Sequence, residues 1–536
     1  MPGWNFADVW EVIAEQLPDA PAQVHGERRY TWSEMDTRAN GIAKWLIGLG
    51  VEKQDKVAHY LYNGPEYLES LFGMWKAGLV PVNTNYRYQD NELLYLWDNA
   101  DAVAVVFHGA FTERIENLRD RTPKVKAWLW VDDGSGPCPD WAHPYEDAAK
   151  SASERTVAPW GRDGDDLYML YTGGTTGMPK GVMWRQDDLF MILHQMAGAF
   201  PETADLDIIR GRATLPGPVG LPVCPLMHGT GALISFQVLS SAGCVVTLTQ
   251  RNFSIEEMLD TIQREKVNMM ALVGDAFAKP WLRAMDENPG RWDISSLFAV
   301  VSSGVMFSNE TKKGLLGHHP AMMIMDGFSS SEALGMGSSV STGGSAAETA
   351  KFMVTDRTRV LTEDGRDIVA GSGEIGLLAV KGRNPLGYYK DDEKSAKTFK
   401  IIDGERYCIP GDYAQVEADG SLKVLGRGSV CINTGGEKVF PEEVEEAIKT
   451  FPAVRDAVVV GVPDEKFGEA ITAVVELAPG ETLDEAAIIT HVKGQLAHYK
   501  APKRVLPVPT IGRAANGKVD YKRLKEHAAG ELGVVA

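Results

Sequence analysis

The chain has 536 residues, more than one hydrophobic core accommodates, so several core-bearing units are predicted. A net charge of −19 disfavours nonspecific nucleic-acid binding, because a polyanion would be repelled. No apolar stretch approaches the ~18 residues of a membrane-spanning helix, and no secretory signal is visible. The five cysteines form no C-x-x-C pair, which favours reduced thiols in a cytoplasmic protein over a disulfide framework or a zinc site.

Residues 30–110 alternate predicted amphipathic helices with short apolar strands. The first helix, 31–50, opens on a Thr/Ser cap signal and ends on a glycine. A second helix, 65–79, separates strands at 56–63 and 80–85. This order predicts a parallel sheet with helices on its faces. Further apolar strands of the same kind are predicted at 102–107, 125–131, 244–249, 268–273 and 297–304.

The pattern changes after about residue 350. Segments 359–382 and 413–428 contain short strands joined by Asp-Gly turns, as in antiparallel hairpins. From about residue 430 a compact α+β unit is predicted, with helices and strands at 440–451, 454–462, 470–477 and 483–496.

These patterns predict an α/β fold with two domains and a hinge. A large N-terminal domain, 1–425, combines parallel α/β sheets with a small β-barrel-like part. The glycine-rich stretch 426–430 is the candidate hinge, and a small α+β C-terminal domain occupies 431–536.

A glycine-rich loop at 171–182 reads "YTGGTTGMPKGV". Its glycines and proline disfavour a helix, whereas its N–H groups, hydroxyls and Lys180 suit an anion. The loop is not a Walker A sequence, because Pro179 precedes Lys180 and Gly181 follows it. It lies between an apolar strand and a helix-like run, the setting of an anion held near a helix N-terminus. Taken alone, the loop is also compatible with a flexible surface loop.

The loop resembles the phosphate loop of the adenylate-forming superfamily, which includes acyl-CoA synthetases, peptide-synthetase adenylation domains and luciferases. Further segments resemble motifs of that family, in the right order and across roughly 30–525. They are "LFGMWKAGLVPVNTNYR", "PLMHGTGAL", "VVSSGVMFS", "DGFSSSEALG", "YCIPGDYAQVEADGSLKVLGRG", "GGEKVFPEEVEEAI" and "AANGKVDYKRL". Within this family, the segments "MWRQDD" and "DGFSSSE" resemble those of bacterial CoA ligases for fatty acids and steroid side-chain acids.

The resemblance implies an enzyme that joins an apolar acid to ATP as an acyl-adenylate and then transfers the acyl group to CoA. It assigns the triphosphate to Thr172, Gly173, Gly174, Thr175, Thr176 and Lys180. It assigns Mg²⁺ to Glu332 with Thr172, and the α-phosphate to Ser331. The remaining adenosine contacts that it implies are Ser303, Gly304, Val305, Asp326, Gly327, Phe328, Ser329, Asp412, Val424 and Arg427.

The resemblance also implies a mobile C-terminal domain. Its Lys518 would bridge the substrate carboxylate and the α-phosphate during adenylation. The domain would then rotate and present Gly435, Gly436 and Glu437 to the CoA thiol.

Some residues depart from the family pattern. Ser429 replaces the usual hinge acid, and Gln186-Asp187-Asp188 replaces a His-Arg-Asn that follows the phosphate loop. Phe328 and Ser329 replace a Tyr-Gly pair, although Phe328 still offers a ring to stack on adenine.

The acid is expected to be medium-chain, long-chain or polycyclic, because the candidate pocket is apolar and rich in small residues. The resemblance implies that this pocket is lined by His228, Gly231, Asp275, Phe277, Gly304 and Ser329. For His228, a structural role is equally compatible. One alternative is a fatty-acyl-AMP ligase that loads a carrier protein, although the insertion usual in such ligases is missing. Another is a noncatalytic acyl- or nucleotide-binding protein, which would lose Lys518 or Glu332. Dimers are common in the family, so a homodimer is an open expectation.

Overall fold

We describe a computed structural model of the chain over residues 3–172, 178–194, 200–434, 437–464, 467–514 and 517–534. The chain folds into two compact units. The first takes in the described residues up to 349 together with 381–408, and the second takes in 350–380 and the residues from 409 onward. No helix of the described residues is long and apolar enough to cross a membrane.

The helices are α1 Phe6–Gln16, α2 Trp32–Gly48, α3 Pro65–Lys76, α4 Asp90–Asn99, α5 Thr112–Leu118, α6 Tyr145–Ala149, α7 Gln186–Leu193, α8 Leu206–Arg212, α9 Gly229–Ser240, α10 Ile255–Glu265, α11 Asp275–Glu287, α12 Asn309–His318, α13 Asp392–Thr398, α14 Pro441–Lys449, α15 Glu485–Gln495 and α16 Tyr521–Glu531.

The strands are β1 Pro21–His25, β2 Arg28–Thr31, β3 Lys56–Tyr60, β4 Val80–Asn83, β5 Ala102–His108, β6 Ala127–Val131, β7 His143–Pro144, β8 Leu167–Thr172, β9 Lys180–Arg185, β10 Val219–Pro222, β11 Cys244–Thr247, β12 Met269–Leu272, β13 Ala299–Ser303, β14 Met323–Ser330, β15 Ala333–Ser341, β16 Lys351–Phe352, β17 Thr358–Leu361, β18 Ile375–Lys381, β19 Gly387–Tyr388, β20 Phe399–Ile402, β21 Glu405–Cys408, β22 Asp412–Val416, β23 Leu422–Arg427, β24 Ile432–Thr434, β25 Glu437–Val439, β26 Val454–Asp464, β27 Gly468–Leu477 and β28 Arg504–Val508.

The first unit is built on two eight-stranded sheets. One has the order β15-β14-β13-β12-β10-β11-β1-β2, and its strands from β14 to β1 are parallel. The other has the order β19-β9-β8-β4-β3-β5-β6-β7, and its strands from β8 to β7 are parallel. Helices cover these sheets, so the central strands are buried on both faces, as the apolar runs predict.

Helix α3 shows how the sequence fixes one of these layers. Pro65 occupies its first turn, where a missing N–H has no cost, and all of its residues are buried. Even Lys76 is buried, with Nζ 2.6 Å from a Glu11 carboxylate oxygen and 2.7 Å from one of Asp36. Such a cation is tolerated inside a protein because it is paired.

The second unit contains two small sheets. Strands β16, β23, β22, β18 and β17 pair antiparallel, while β24, β25, β26, β27 and β28 form the sheet of the C-terminal segment. Helix α14 packs on β26, and its apolar residues share a core with α15.

The predicted fold class is confirmed in this structure. Parallel βα units occupy the first unit, and antiparallel hairpins follow residue 350. The Asp-Gly turn between β22 and β23 has Gly420 at φ 81°, a conformation that glycine adopts without strain. The division at 426–430 concerns motion between domains and stays a prediction.

Candidate active site

The phosphate loop connects two antiparallel strands. Thr172 ends β8, Lys180 begins β9, and the two residues are paired in register. The predicted residues Gly173, Gly174, Thr175 and Thr176 lie outside the described residues. The expected helix does form, but it begins at Gln186, after β9. The helix-like run predicted after the loop is therefore confirmed, and a strand that was not predicted, β9, separates it from the loop because 180–185 pairs with β8 and β19.

Lys180 is held by a carboxylate that follows β19. Its ammonium group forms an ion pair with Asp391. This contact holds the pKa of Asp391 below its usual range. The other carboxylate oxygen of Asp391 accepts from the backbone N–H of Lys394 at 3.0 Å and caps α13. Lys180 is thus tied to the start of a helix.

Glu332 lies in the turn between β14 and β15 and is buried. The Tyr388 hydroxyl donates to its Oε1 atom at 2.8 Å. Burial and the neighbouring Glu332 raise the pKa of Tyr388, so the phenol keeps the proton that it donates. The Trp184 indole donates to the carbonyl oxygen of Ser331 at 2.9 Å. Strands β9 and β19 therefore both contact the turn that carries Ser331 and Glu332.

The predicted adenine segments follow the carboxyl end of β13 and run along β14. Ser303 pairs in register with Gly327, which places the two segments side by side. Gly304 has φ 93°, and a Cβ atom built on it would lie 3.8 Å from Thr230 Oγ1 and 3.9 Å from Val273 Cγ1. Ser303, Gly304 and Val305 thus continue one strand, and Asp326, Gly327, Phe328 and Ser329 lie on its neighbour. Ligand sites commonly form beyond the carboxyl ends of parallel strands.

Asp326 is buried beside a lysine. Its carboxylate lies 3.7 Å from Nζ of Lys312, which is itself fully buried. Burial raises the pKa of Asp326 to about 7, against the opposing effect of Lys312. On the same strand, Ser329 Oγ accepts from the backbone N–H of Gly335 at 3.0 Å.

The predicted acyl-pocket residues have varied surroundings. His228 is the half-buried cap residue before α9. A Cβ on Gly231 would lie 2.6 Å from the Pro225 carbonyl oxygen, so close backbone packing requires this glycine. Asp275 accepts from the Ser308 hydroxyl at 3.1 Å. Phe277 belongs to the core, and its ring packs edge-on against the exposed ring of Phe253. The pocket roles of these residues stay predictions.

Asn83 is a connecting residue that the sequence did not single out. At the end of β4, its amide nitrogen donates to the carbonyl oxygens of Tyr171 at 2.9 Å and Met227 at 2.7 Å. Its Oδ1 accepts from the Tyr171 N–H at 2.6 Å. Asn83 therefore ties the strand before the phosphate loop to the segment before His228. The one signal in the sequence that could have indicated this role is a polar residue at the end of an apolar strand.

The residues that replace the family His-Arg-Asn hold the N-terminal segment. Gln186 Oε1 accepts from the Phe6 N–H at 3.0 Å, and Asp187 Oδ1 accepts from the Trp4 N–H at 2.8 Å. The second Asp187 oxygen lies 2.7 Å from a guanidinium nitrogen of Arg383. In this chain the substituted side chains thus have a structural role.

In the second unit, the predicted ribose residues are paired. Asp412 and Arg427 are register partners on β22 and β23, with 3.5 Å between Asp412 Oδ1 and Arg427 Nε. Asp412 is buried, and Val424 lies half-buried on the same strand as Arg427.

Lys518 is exposed and follows a short loop. The Ala514 N–H donates to the Lys518 carbonyl at 2.9 Å, and the Gly517 N–H donates to the Ala514 carbonyl at 2.8 Å. Arg513 Nη1 donates to the Gly517 carbonyl at 3.1 Å and also forms a bidentate pair with Asp456 on β26. Of the predicted CoA-side residues, Glu437 is exposed at the start of β25, whereas Gly435 and Gly436 lie outside the described residues.

Across the described part of the chain, no group of three or more His, Cys, Asp or Glu side chains could hold a metal ion. A single buried carboxylate, such as that of Glu332, fits Mg²⁺ bound mainly through substrate phosphates.

The sequence profile described as "AMP-binding enzyme" matches residues 10–389, and that described as "AMP-binding enzyme C-terminal domain" matches 443–518. A medium/long-chain-fatty-acid–CoA/3-oxocholest-4-en-26-oate–CoA ligase of Mycolicibacterium smegmatis is 40% identical over 97% of this chain and 96% of its own. A 3-oxocholest-4-en-26-oate–CoA ligase of Rhodococcus rhodochrous is 42% identical over 97% of this chain and 95% of its own. The structure of ATP-bound MatB from Rhodopseudomonas palustris matches with a TM-score of 0.80 and 25% identity, covering 99% and 100% of the two chains.

Proposed function

We propose that this chain, which belongs to the family of AMP-binding enzymes, is a ligase that converts an apolar carboxylic acid into its CoA thioester. The family predicted from the motifs is confirmed. The observation that carries the proposal is the match, over nearly the whole chain, to relatives named as CoA ligases. Both profiles of the family match, so the chain contains the regions that correspond to both of its domains.

The first half-reaction joins two anions. An oxygen of the substrate carboxylate attacks the α-phosphorus of ATP, the bond from that phosphorus to the β-phosphate oxygen breaks, and pyrophosphate leaves. Positioning and charge neutralisation are then the main tasks of the protein. Lys180 and Thr172 are proposed to hold the outer phosphates, and their register pairing across β8 and β9 supports a shared role. Ser331 would contact the α-phosphate through its hydroxyl.

Mg²⁺ is proposed as the metal of this step. Glu332 would hold it, together with Thr172 and phosphate oxygens. When bound, the ion neutralises the charge of the triphosphate and of the leaving pyrophosphate. The Tyr388 hydrogen bond uses Oε1 of Glu332.

The second half-reaction forms the thioester. The CoA sulfur attacks the acyl carbon, its proton is released, the bond to the AMP oxygen breaks and AMP leaves. Asp412 and Arg427 are proposed to hold the ribose in both steps, whereas Lys518 acts only in the first. The proposed domain rotation about 426–430 would remove Lys518 and bring residues 435–437 to the thiol route.

The proposed acids are medium- to long-chain fatty acids and steroid side-chain acids. The names of the two relatives support this substrate class. Free cysteines throughout the described part of the chain support a reducing, cytoplasmic setting. A homodimer is proposed by analogy with related ligases, and light scattering of the purified protein tests it.

The test is a panel of free acids incubated with ATP, Mg²⁺ and CoA and scored by mass spectrometry. We expect CoA thioesters of fatty acids and steroid side-chain acids, with stoichiometric AMP and pyrophosphate. Acyl-AMP that accumulates without thioester would indicate transfer to a carrier protein. Activity only on aryl acids or amino acids would contradict the proposed substrate class.

Glu332→Gln tests the metal assignment. The amide keeps the shape and can still accept from Tyr388, but it loses the charge that attracts Mg²⁺. We expect the Mg²⁺ concentration for half-maximal pyrophosphate release to rise about tenfold or more. Glu310→Gln on the exposed face of α12 is the matched control. An unchanged magnesium dependence would remove Glu332 from the metal site.

A further inference from the structure

The short segment from Tyr388 to Asp391 contacts two proposed nucleotide ligands at once. Tyr388 donates its hydroxyl hydrogen to Glu332, and Asp391 pairs with Lys180. The sequence did not single out this segment. The two residues that make these contacts are three positions apart in the chain, yet one reaches strand β9 of one sheet and the other reaches the turn between β14 and β15 of the other sheet.

The backbone of the segment is fixed on both sides. Tyr388 pairs with Val182 on β9, and the Tyr389 N–H donates to the Gly181 carbonyl at 2.8 Å. The Tyr388 N–H donates to Ser395 Oγ at 2.8 Å. A segment anchored to β9 and to α13 presents its side chains from a rigid base.

The side chains are fixed as well. Tyr388 is 4% exposed. Asp391 uses one oxygen to cap α13 and the other to hold Lys180. An ammonium has three N–H donors, so Lys180 can keep Asp391 and still donate to phosphate oxygens.

We propose that Tyr388 and Asp391 are positioning residues of the triphosphate site, which set the Glu332 carboxylate and the Lys180 ammonium before ATP binds. The inference rests on the proposed function, which takes Glu332 and Lys180 as ligands of magnesium and triphosphate. Holding a flexible lysine in place removes part of the side-chain entropy that ATP binding would otherwise cost.

The chain supplies a matched control at the next residue. The Tyr389 hydroxyl also donates a hydrogen bond, but its acceptor is Asp101, at 2.7 Å, in the turn that precedes β5. Tyr389→Phe therefore removes the same atom from the same segment without touching Glu332 or Lys180.

The experiment measures ATP and AMP binding by calorimetry for Tyr388→Phe, Asp391→Asn and Tyr389→Phe, in Mg²⁺ and in EDTA. We expect Tyr388→Phe to weaken ATP binding about fivefold in Mg²⁺ and little in EDTA, because it acts through the metal ligand. Asp391→Asn should weaken ATP binding about fivefold in both solutions, because it acts through Lys180. AMP lacks the outer phosphates, so its affinity should stay at the wild-type level in every variant, and Tyr389→Phe should bind ATP normally.

Three outcomes would overturn the assignment. ATP affinity unchanged in both variants would remove the positioning role. Tighter ATP binding by Asp391→Asn would mean that Asp391 competes with phosphate for Lys180. Equal loss of ATP and AMP affinity, with a lowered melting temperature, would make the segment merely structural. Wild-type protein is assayed for acyl-CoA in parallel, so a wild type that binds ATP but forms no thioester refutes the proposed function alone.

Discussion

The two lysines proposed to act in adenylation lie in different settings. Lys180 begins a strand of a large sheet, and its ammonium is fixed by Asp391. Lys518 is exposed at the end of a short loop, in the other compact unit. The difference fits their proposed tasks, because a phosphate ligand gains from a fixed position, whereas a lysine needed for one half-reaction must leave. Lys180 is therefore proposed to bind phosphate, whereas Lys518 is proposed to act in adenylation and then to move away before the thioester forms.

Removing Lys518 should have the largest effect. In Lys518→Ala we expect pyrophosphate release to fall by ~10²–10³-fold, because the repulsion between carboxylate and α-phosphate is no longer offset. Thioester formation from preformed acyl-AMP and CoA should largely survive. By contrast, Lys180→Ala should mainly raise the KM for ATP.

Lys522→Ala, at an exposed position of α16, is the control for Lys518→Ala, and each half-reaction is followed separately. An equal loss of both half-reactions in Lys518→Ala would contradict the assigned role and erase the contrast between the lysines.

The loop before Lys518 offers a subtler test. Arg513 joins Asp456 on β26 to the Gly517 carbonyl, next to Lys518. Arg513→Ala should slow adenylation by about 10–100-fold, since a small misplacement of a catalytic group is costly, while the thioester step is retained. Arg455→Ala removes a neighbouring, more exposed arginine that pairs with Glu476 at 3.2 Å and serves as the control. Adenylation at the wild-type rate in Arg513→Ala would show that the loop needs no such anchor.

The sequence predicts those helices and strands that short-range patterns of residues determine. Helix α3 and strand β4 follow from a proline start, helical spacing and an apolar run. Strand β9 was missed, because 180–185 becomes a strand only by pairing with β8 and β19. That long-range pairing leaves no periodic pattern in six residues, so the sequence predicts only the strand before the loop and the helix after β9.

The site shows the same limit. Residues such as Glu332 were found because a family motif contains them, and their roles stay predictions. Tyr388 and Asp391 were not found, because nothing in the local sequence shows which strand their side chains reach. Gln186 and Asp187 looked like a lost catalytic motif, whereas their contacts with Phe6 and Trp4 give them a structural role. Only the contact partners of a side chain, and not its residue type, distinguish the proposed site residues from residues with a structural role.

A buried acid lies beside the proposed ribose residues of the second unit. Glu442, on α14, has a buried Oε2 atom with no hydrogen-bond partner among the described residues, and a side chain at Gly426 would collide with its carboxyl group. Burial raises the pKa of Glu442 to about 8, with further contributions from Glu445 and Asp412. Whereas Lys180 has a counter-charge, this carboxyl group is kept neutral.

The smallest expected effect is that of replacing Glu442, which should change the pH dependence of the free energy of unfolding. Between the ordinary carboxyl pKa near 4.5 and about 8, the folded protein keeps a proton that the unfolded chain has released. The unfolded state thus binds fewer protons in this window, so rising pH lowers the free energy of unfolding. Glu442→Gln removes this dependence and should raise the melting temperature at pH 8 by a few degrees, at ~2–4 °C per kcal/mol, with little change at pH 5. Exposed Glu481→Gln is the control, and a shift equal at both pH values would mean that Glu442 is already ionised in the folded unit.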